Sequence, residues 1–362
     1  MRPSRSTLAR ATAVAVVLGA LLVVGRLTGE SLRPPSPATT TTWHPPSVPP
    51  PPPTTPSPVT AHLRLGRVTA VAVDGDSVWA AHGCAVSRVD PHTNRVVATI
   101  GLPPVRGGCW VAGMAADTGA LWVSQSSARL LRVDPHSGRV VATLALVGVG
   151  APVVTDVRVW AECCWSGINT AHPAGSLVRV DPASNQVVVR IRLPGLPAVV
   201  GAGPSGVWVT GAGGPIWRVD LASNRVVATI RIPGGLGGLP HEGPAGEAGD
   251  VLVGRDAVWV SNPASGQVLR VDPARKREVR AVFVDAPSLV GASLVAAGGE
   301  VWATSGRTLL ALGDKSRRVS LDEVGEQDEG EGEPVSDLAA SPDAVWVGTP
   351  AGLFRVDLAR LG

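Results

Sequence analysis

Residues 68–100 read VTAVAVDGDSVWAAHGCAVSRVDPHTNRVVATI, and this stretch decides the fold. Val68–Val73 alternates in side-chain size and runs into a Gly/Asp turn, which predicts a strand, a. Ser77–Ala81 carries Trp79 and predicts a second, b. Ala85–Asp90 and Arg95–Ile100 predict c and d. The c–d connection is the best specified, Asp90-Pro91-His92-Thr93-Asn94. Aspartate accepts backbone N–H bonds, proline presets φ for a type I turn, and asparagine tolerates a left-handed backbone. The same chemistry returns at Asp134-Pro135-His136-Ser137-Gly138, Asp181-Pro182-Ala183-Ser184-Asn185 and Asp220-Leu221-Ala222-Ser223-Asn224.

The whole unit recurs. Trp79, Trp122, Trp160, Trp208, Trp259, Trp302 and Trp346 mark seven copies at a stride near 45 residues. A repeat of that length with four short strands is the size of a β-propeller blade. Residues 335–357 supply strands a, b and c of the seventh unit without a strand d after them. At the front, Ala61–Arg67 (AHLRLGR) is similar to the d strands elsewhere. It is expected to pair with the strand containing Leu353–Asp357, closing an all-β, seven-bladed ring and removing its open sheet edges. The seven tryptophans are expected to fill equivalent positions in the packing.

The first sixty residues differ. Residues 1–10 form a basic tail, and Ala11–Gly25 is an unbroken apolar run extended to Thr28 by Leu27. A positive segment before such a run marks export, so 11–28 is a signal anchor or a signal peptide. The arginines ahead of it orient the rest of the chain outside the cytoplasm. The product is then a single-pass membrane protein with an extracytoplasmic C-terminal domain, or a secreted one. Residues 29–60 are a Pro/Thr-rich linker, with twelve prolines between Pro34 and Pro58. Such a segment tends to polyproline II and acts as a spacer. Residues 61–362 make the propeller. The formal charge of +3 is misleading: residues 1–60 hold five arginines against one glutamate, leaving 61–362 at −1. A near-neutral body without a basic stripe is a poor phosphate binder, so nucleic acid is not an expected partner.

In a propeller the b–c and d–a loops lie at the same end. That end receives Cys84, Cys109, Cys163 and Cys164. Outside the cytoplasm an even number of cysteines reads as disulfides. Cys84–Cys109 is the preferred pair, leaving Cys163–Cys164 as a vicinal pair unless partners exchange. His82, Cys84, Cys109 and His172 offer imidazole and thiolate, but their spacing fits no structural zinc motif, and no metal or cofactor is assigned. Three long loops share the end: Glu162–Gly175 with Trp165, Pro233–Asp250 with His241 and Glu242, and Asp322–Glu333 with seven acidic residues in twelve. Long loops on a rigid scaffold are where function is most often built. His82, Trp165, His172, His241 and Glu242 are therefore the candidate ligand-binding residues. His62, His92 and His136 are expected near the opposite end, facing solvent. P-loop, GxSxG and HExxH motifs are absent.

The segments SVW/AVWV, RVDP and RVVATI across 61–362 resemble those of the YVTN-type seven-bladed propellers and, more loosely, of virginiamycin B (streptogramin) lyases. The lyase branch implies a glutamate three positions after each tryptophan. Here those positions are His82, Gln125, Cys163, Gly211, Asn262, Ser305 and Thr349, none of them acidic. The resemblance implies the fold more than the function, because this fold hosts many activities. The expected function is a membrane-tethered, non-catalytic binding or scaffold module for an envelope protein, peptide, glycan or small ligand. The alternative is a lyase-type enzyme working from the same loop end.

Overall fold

Seven four-stranded antiparallel sheets form in the computed structural model. It describes residues 57–361 except 106–107, 118, 127, 156–157, 167–173, 213, 233–235, 237–248, 263–264, 276, 284–292, 314–316 and 322–334. The expected signal segment and most of the linker lie outside the described residues, and no described helix is long and apolar enough to cross a membrane. Six sheets are consecutive a–b–c–d meanders. The seventh orders as Val59–Leu63, Gly352–Asp357, Ala344–Thr349, Asp337–Ala340, so the front strand is strand d of the last blade. Successive a strands neighbour one another in a cycle that returns from blade 7 to blade 1, which makes a the innermost strand.

The closing strand pairs with the strand foreseen from the sequence, but it spans Val59–Leu63 rather than Ala61–Arg67. The earlier start has a packing cause. Val59 lies opposite Val356 and is buried in the seam between blades 6 and 7, and the Asp357 N–H donates to the Pro58 carbonyl. The strand ends where Leu65 N–H turns back to Leu63 O and Gly66 takes φ 73°. His62, expected to face solvent near the opposite end, instead stacks on Phe354 at 4.1 Å between ring centroids. Its Nε2 lies 3.1 Å from the Ala351 carbonyl, at the loop end. His92 and His136 are exposed at the Asp-Pro turns as expected.

Each tryptophan serves the seam to the next blade. Trp79 packs with Met114, Leu121 and Leu131 of blade 2, Trp122 with Val159 and Val178 of blade 3, and so on round to Trp346, which meets Val71 and Val78 of blade 1. Six of the seven are fully buried and Trp259 is half-buried. Opposite the tryptophan, on strand c, stands the arginine of RVDP. The cross-strand pairs are Trp79–Arg88, Trp122–Arg132, Trp160–Arg179, Trp208–Arg218, Trp259–Arg270 and Trp346–Arg355. The guanidinium carbons sit 5.7–5.9 Å from the ring centroids, a cation–π contact of about 0.5–2 kcal/mol. Several of these arginines then reach the c–d turn of the following blade. Arg132 donates to Pro182 O and Asn185 Oδ1, Arg179 to Asn224 Oδ1, and Arg218 to Pro273 O. Blade 6 lacks the motif, and Trp302 faces Ala311 instead.

The aspartate of RVDP caps its own turn. Asp90 Oδ1 accepts from His92 N and Thr93 N, and Asp134, Asp181, Asp220 and Asp272 accept likewise. The left-handed residue follows at Asn94, Asn185 and Asn224, with φ of 53–55°. The second valine of RVVATI has a different task. Val96 pairs with Val89 and Ala98 with Arg88, leaving Val97 as the extra residue of a β-bulge. Val141, Val188 and Val227 occupy the same bulge in blades 2, 3 and 4, and all four are exposed. A bulge on an outermost strand twists the free edge away from flat pairing with another chain.

Candidate functional site

The b–c and d–a connections gather at one end of the ring, and the described residues give that end a regular framework with a few departures. The framework is the residue two places after each tryptophan, on the same face of strand b. Ser124 Oγ donates to Val149 O, at the entry to the next blade. Thr210 Oγ1 accepts from Val199 N, Ser261 Oγ from Asp250 N at 2.6 Å, and Thr304 Oγ1 from Ser293 N. These hydroxyls hold the start of strand a in place. Ala81 and Gly348 occupy the position in blades 1 and 7.

In blade 3 the position holds Glu162. It is 2% exposed, and its Oε2 has no hydrogen-bond partner among the described residues. Its Oε1 lies against Gly150, where a Cβ would fall 1.6 Å from that oxygen, so any side chain there would displace the Glu162 carboxyl. Burial pushes the Glu162 carboxyl up to about 8, against the small lowering by its own backbone N–H. It is therefore a neutral acid at pH 7. The sequence places Glu162 at the start of a loop. Instead strand b of blade 3 runs from Arg158 to Ser166, with a register shift between Cys163 and Ser166. The hairpin arms are longer here because strand c also starts early, at Ala174.

Two more carboxyls stand at the axial starts of a strands. Asp337 Oδ2 accepts from Val71 N of blade 1 and Oδ1 from Leu338 N, both at 2.8 Å. Asp250 repeats this two seams earlier, with Oδ2 accepting from Leu294 N of blade 6 and Oδ1 from Val251 N. Each carboxyl thus bridges its own blade to the next beside the axis. Part of each residue still touches solvent, yet protein surrounds the carboxyls. Burial pushes Asp337 up to about 7, with Asp250 adding to the rise and the Val71 and Leu338 amides opposing it. Asp250 is raised by burial as well, against the Leu294 and Val251 amides.

Of the residues picked from the sequence, Cys84 and Cys109 are brought together as a disulfide with Cα atoms 5.3 Å apart, within the ~7 Å a bridge allows. The bond joins the b–c turn of blade 1 to the d–a loop entering blade 2. Cys163 is also disulfide-bonded, and no described cysteine is free. His82 is half-buried, its Nε2 2.8 Å from Ser87 Oγ, and burial lowers its pKa. Trp165 and Cys164 have described backbone only, within strand b of blade 3. His172, His241 and Glu242 lie outside the described residues, as does the acidic loop 322–333. Among the described residues no three His, Cys, Asp or Glu side chains converge as metal ligands.

The sequence reading passed over Glu162, Asp250 and Asp337. Reading the column two residues after each tryptophan exposes the first, because Glu162 is the one charged member among Ala81, Ser124, Thr210, Ser261, Thr304 and Gly348. Asp250 and Asp337 carry no such mark.

The chain is similar in structure to virginiamycin B lyase from Staphylococcus aureus, with a TM-score of 0.61 over 82% of this chain and 96% of that one. At 13% sequence identity the likeness shows the shared seven-bladed fold alone. No protein-family model and no curated protein matches the chain.

Proposed function

We propose that this chain is an exported, membrane-tethered propeller whose loop end binds a ligand without transforming it. The observation that carries the reading is the Cys84–Cys109 disulfide at that end. Disulfides persist in oxidising compartments, in keeping with the basic and apolar N-terminal segment and the proline-rich spacer. The bond also ties two loops to each other, a means of holding a binding surface in one shape at little ordering cost. Asp250 and Asp337 add support: their oxygens are engaged by backbone amides, so they serve the seams before any ligand. The test has two arms. Fractionation should find the full-length protein in membranes, with the propeller digested by protease added outside spheroplasts. A cytosolic, protease-protected propeller overturns the tethering.

The likeness to virginiamycin B lyase favours a second reading, an enzyme working from the same end with His172, His241 and nearby carboxylates. Incubation with virginiamycin B, followed by chromatography, separates the two. Conversion that is lost in His241→Ala would replace the binding reading with the enzymatic one.

A further inference from the structure

One sector of the loop end combines rigidity with an exposed aromatic ring. Trp110, in the d–a loop entering blade 2, is 44% exposed, although six of the seven repeat tryptophans are fully buried. It is held on three sides. Cys109 beside it is bonded to Cys84. Its carbonyl accepts from Ser126 N at 2.8 Å, and Ser126 Oγ donates to Gly108 O. Below it the fully buried Gln125 amide donates to Pro103 O and to Cys109 Sγ. Ser126 itself takes φ 51°, and among the described residues every other positive φ belongs to glycine or to the turn asparagines. Left-handed serine costs of order 1 kcal/mol, which is tolerated where the surroundings over-determine it. Across the same b–c turn stands Val147, at 77% the most exposed large apolar side chain described. On the turn's far side Arg129 gives one N–H to Pro104 O and has no described carboxylate partner.

We infer that Trp110 is a stacking platform for a pyranose ring, so that the ligand of this end is a glycan. The inference rests on reading the loop end as a binding end. Three features select a sugar. The loop backbone that carries the indole is held before binding, so stacking carries little loop-ordering cost. Among the described residues the one other exposed large apolar side chain flanking this turn is Val147, and the ~150–250 Å² a tryptophan contributes falls far below the ~800 Å² per partner of a stable protein interface. A pyranose needs only one flat C–H face on the ring, with its hydroxyls directed to polar groups at the edge. Arg129, at the end of the same b–c turn and bonded to Pro104 of the loop that carries Trp110, supplies donors in this sector for a neutral hydroxyl or for the carboxylate of a uronic acid.

The test uses the full-length protein in a detergent without a sugar head group, titrated by calorimetry with two probes: cellotetraose, which is neutral, and a hyaluronan tetrasaccharide, which carries uronate. At least one should bind. Trp110→Ala should weaken that binding tenfold or more, and Trp110→Phe should recover part of it. The urea midpoint of Trp110→Ala should stay within error of the wild type, since the ring is exposed, so lost binding is not lost folding. Arg129→Gln distinguishes the sources. A several-fold loss confined to the hyaluronan probe assigns a uronate-bearing polymer, and affinity unchanged by Arg129→Gln assigns a neutral one. Absence of binding by either probe at millimolar concentration, or binding that ignores Trp110→Ala, overturns the inference. So does an acidic peptide that competes at Trp110 where neither sugar binds. None of these results touches the choice between binder and lyase, which turnover of virginiamycin B decides separately.

Discussion

Glu162→Gln tests whether the acid buried in blade 3 is neutral in the folded protein. Its carboxyl is raised from 4.5 to about 8 by burial. A group whose folded pKa lies above its unfolded one contributes most below the unfolded value. That contribution is lost as pH rises through the folded one. At 1.36 kcal/mol per unit, the wild type should lose about 3 kcal/mol between pH 4.5 and 7 and about 4 by pH 9. Glutamine keeps the shape against Gly150 and removes the ionisation. It also adds an amide donor where Oε2 has no described partner, at a cost of about 1–3 kcal/mol. The variant should therefore be no more stable than the wild type at pH 4.5, pull level near pH 7, and exceed it at pH 9. Urea midpoints measured from pH 4.5 to 9 give the comparison, with unchanged m-values showing that the same surface unfolds. Parallel profiles for the two proteins would mean that Glu162 is ionised when folded, and the neutral-acid account would be wrong.

The seams give three further expected outcomes. Replacing both Cys84 and Cys109 with serine should cost about 2–4 kcal/mol by urea titration without reductant, and the gap should close when both proteins are titrated in dithiothreitol. Trp346→Ala empties the seam from blade 7 into blade 1 and should cost about 3–5 kcal/mol by the same titration; Trp259→Ala, at a half-buried site, should cost visibly less. Removing residues 57–63 takes away the strand paired with Gly352–Asp357 and should broaden the single thermal transition into two by calorimetry, whereas a sharp, unshifted transition would deny that this strand closes the ring.

The fold was legible because its instructions are local and repeated. Asp90, Pro91 and Asn94 specify a turn without reference to anything distant, and six of seven tryptophans meet an arginine written just before Val-Asp within their own unit. The bulge at Val97 was not legible as such, because RVVATI reads as a regular strand until the pairing of Val96 and Ala98 with consecutive residues of strand c shows one residue too many. The loop end resisted for another reason. Its chemistry depends on which blade meets which, and Asp337 acquires its role only when Val71, 266 positions away, offers its amide. The histidines and Trp165 were picked as departures from a minimal repeat, a criterion that finds long loops. It passed over Trp110, which sits in a loop of ordinary length.

The distribution of departures argues that the two ends of the ring are built for different work. At the Asp-Pro end each unusual residue is repeated: the capping aspartate, the left-handed asparagine and the arginine that crosses to the next turn. A repeated element shares its task with its copies, and losing one arginine–turn contact leaves several others in place. At the loop end the unusual residues are single. Glu162 interrupts a column of serines and threonines, Ser126 carries a strained backbone, and one disulfide ties down the loop that bears an exposed indole. Single departures cannot be needed for a ring whose other blades close without them. Reverting them toward the repeat, as with Ser126→Gly or Glu162→Ser, should leave unfolding cooperative, shift stability only as removal of the Glu162 carboxyl dictates, and change what the end binds. A reverted protein that no longer folds would instead make these residues part of the scaffold and remove the case for a binding end.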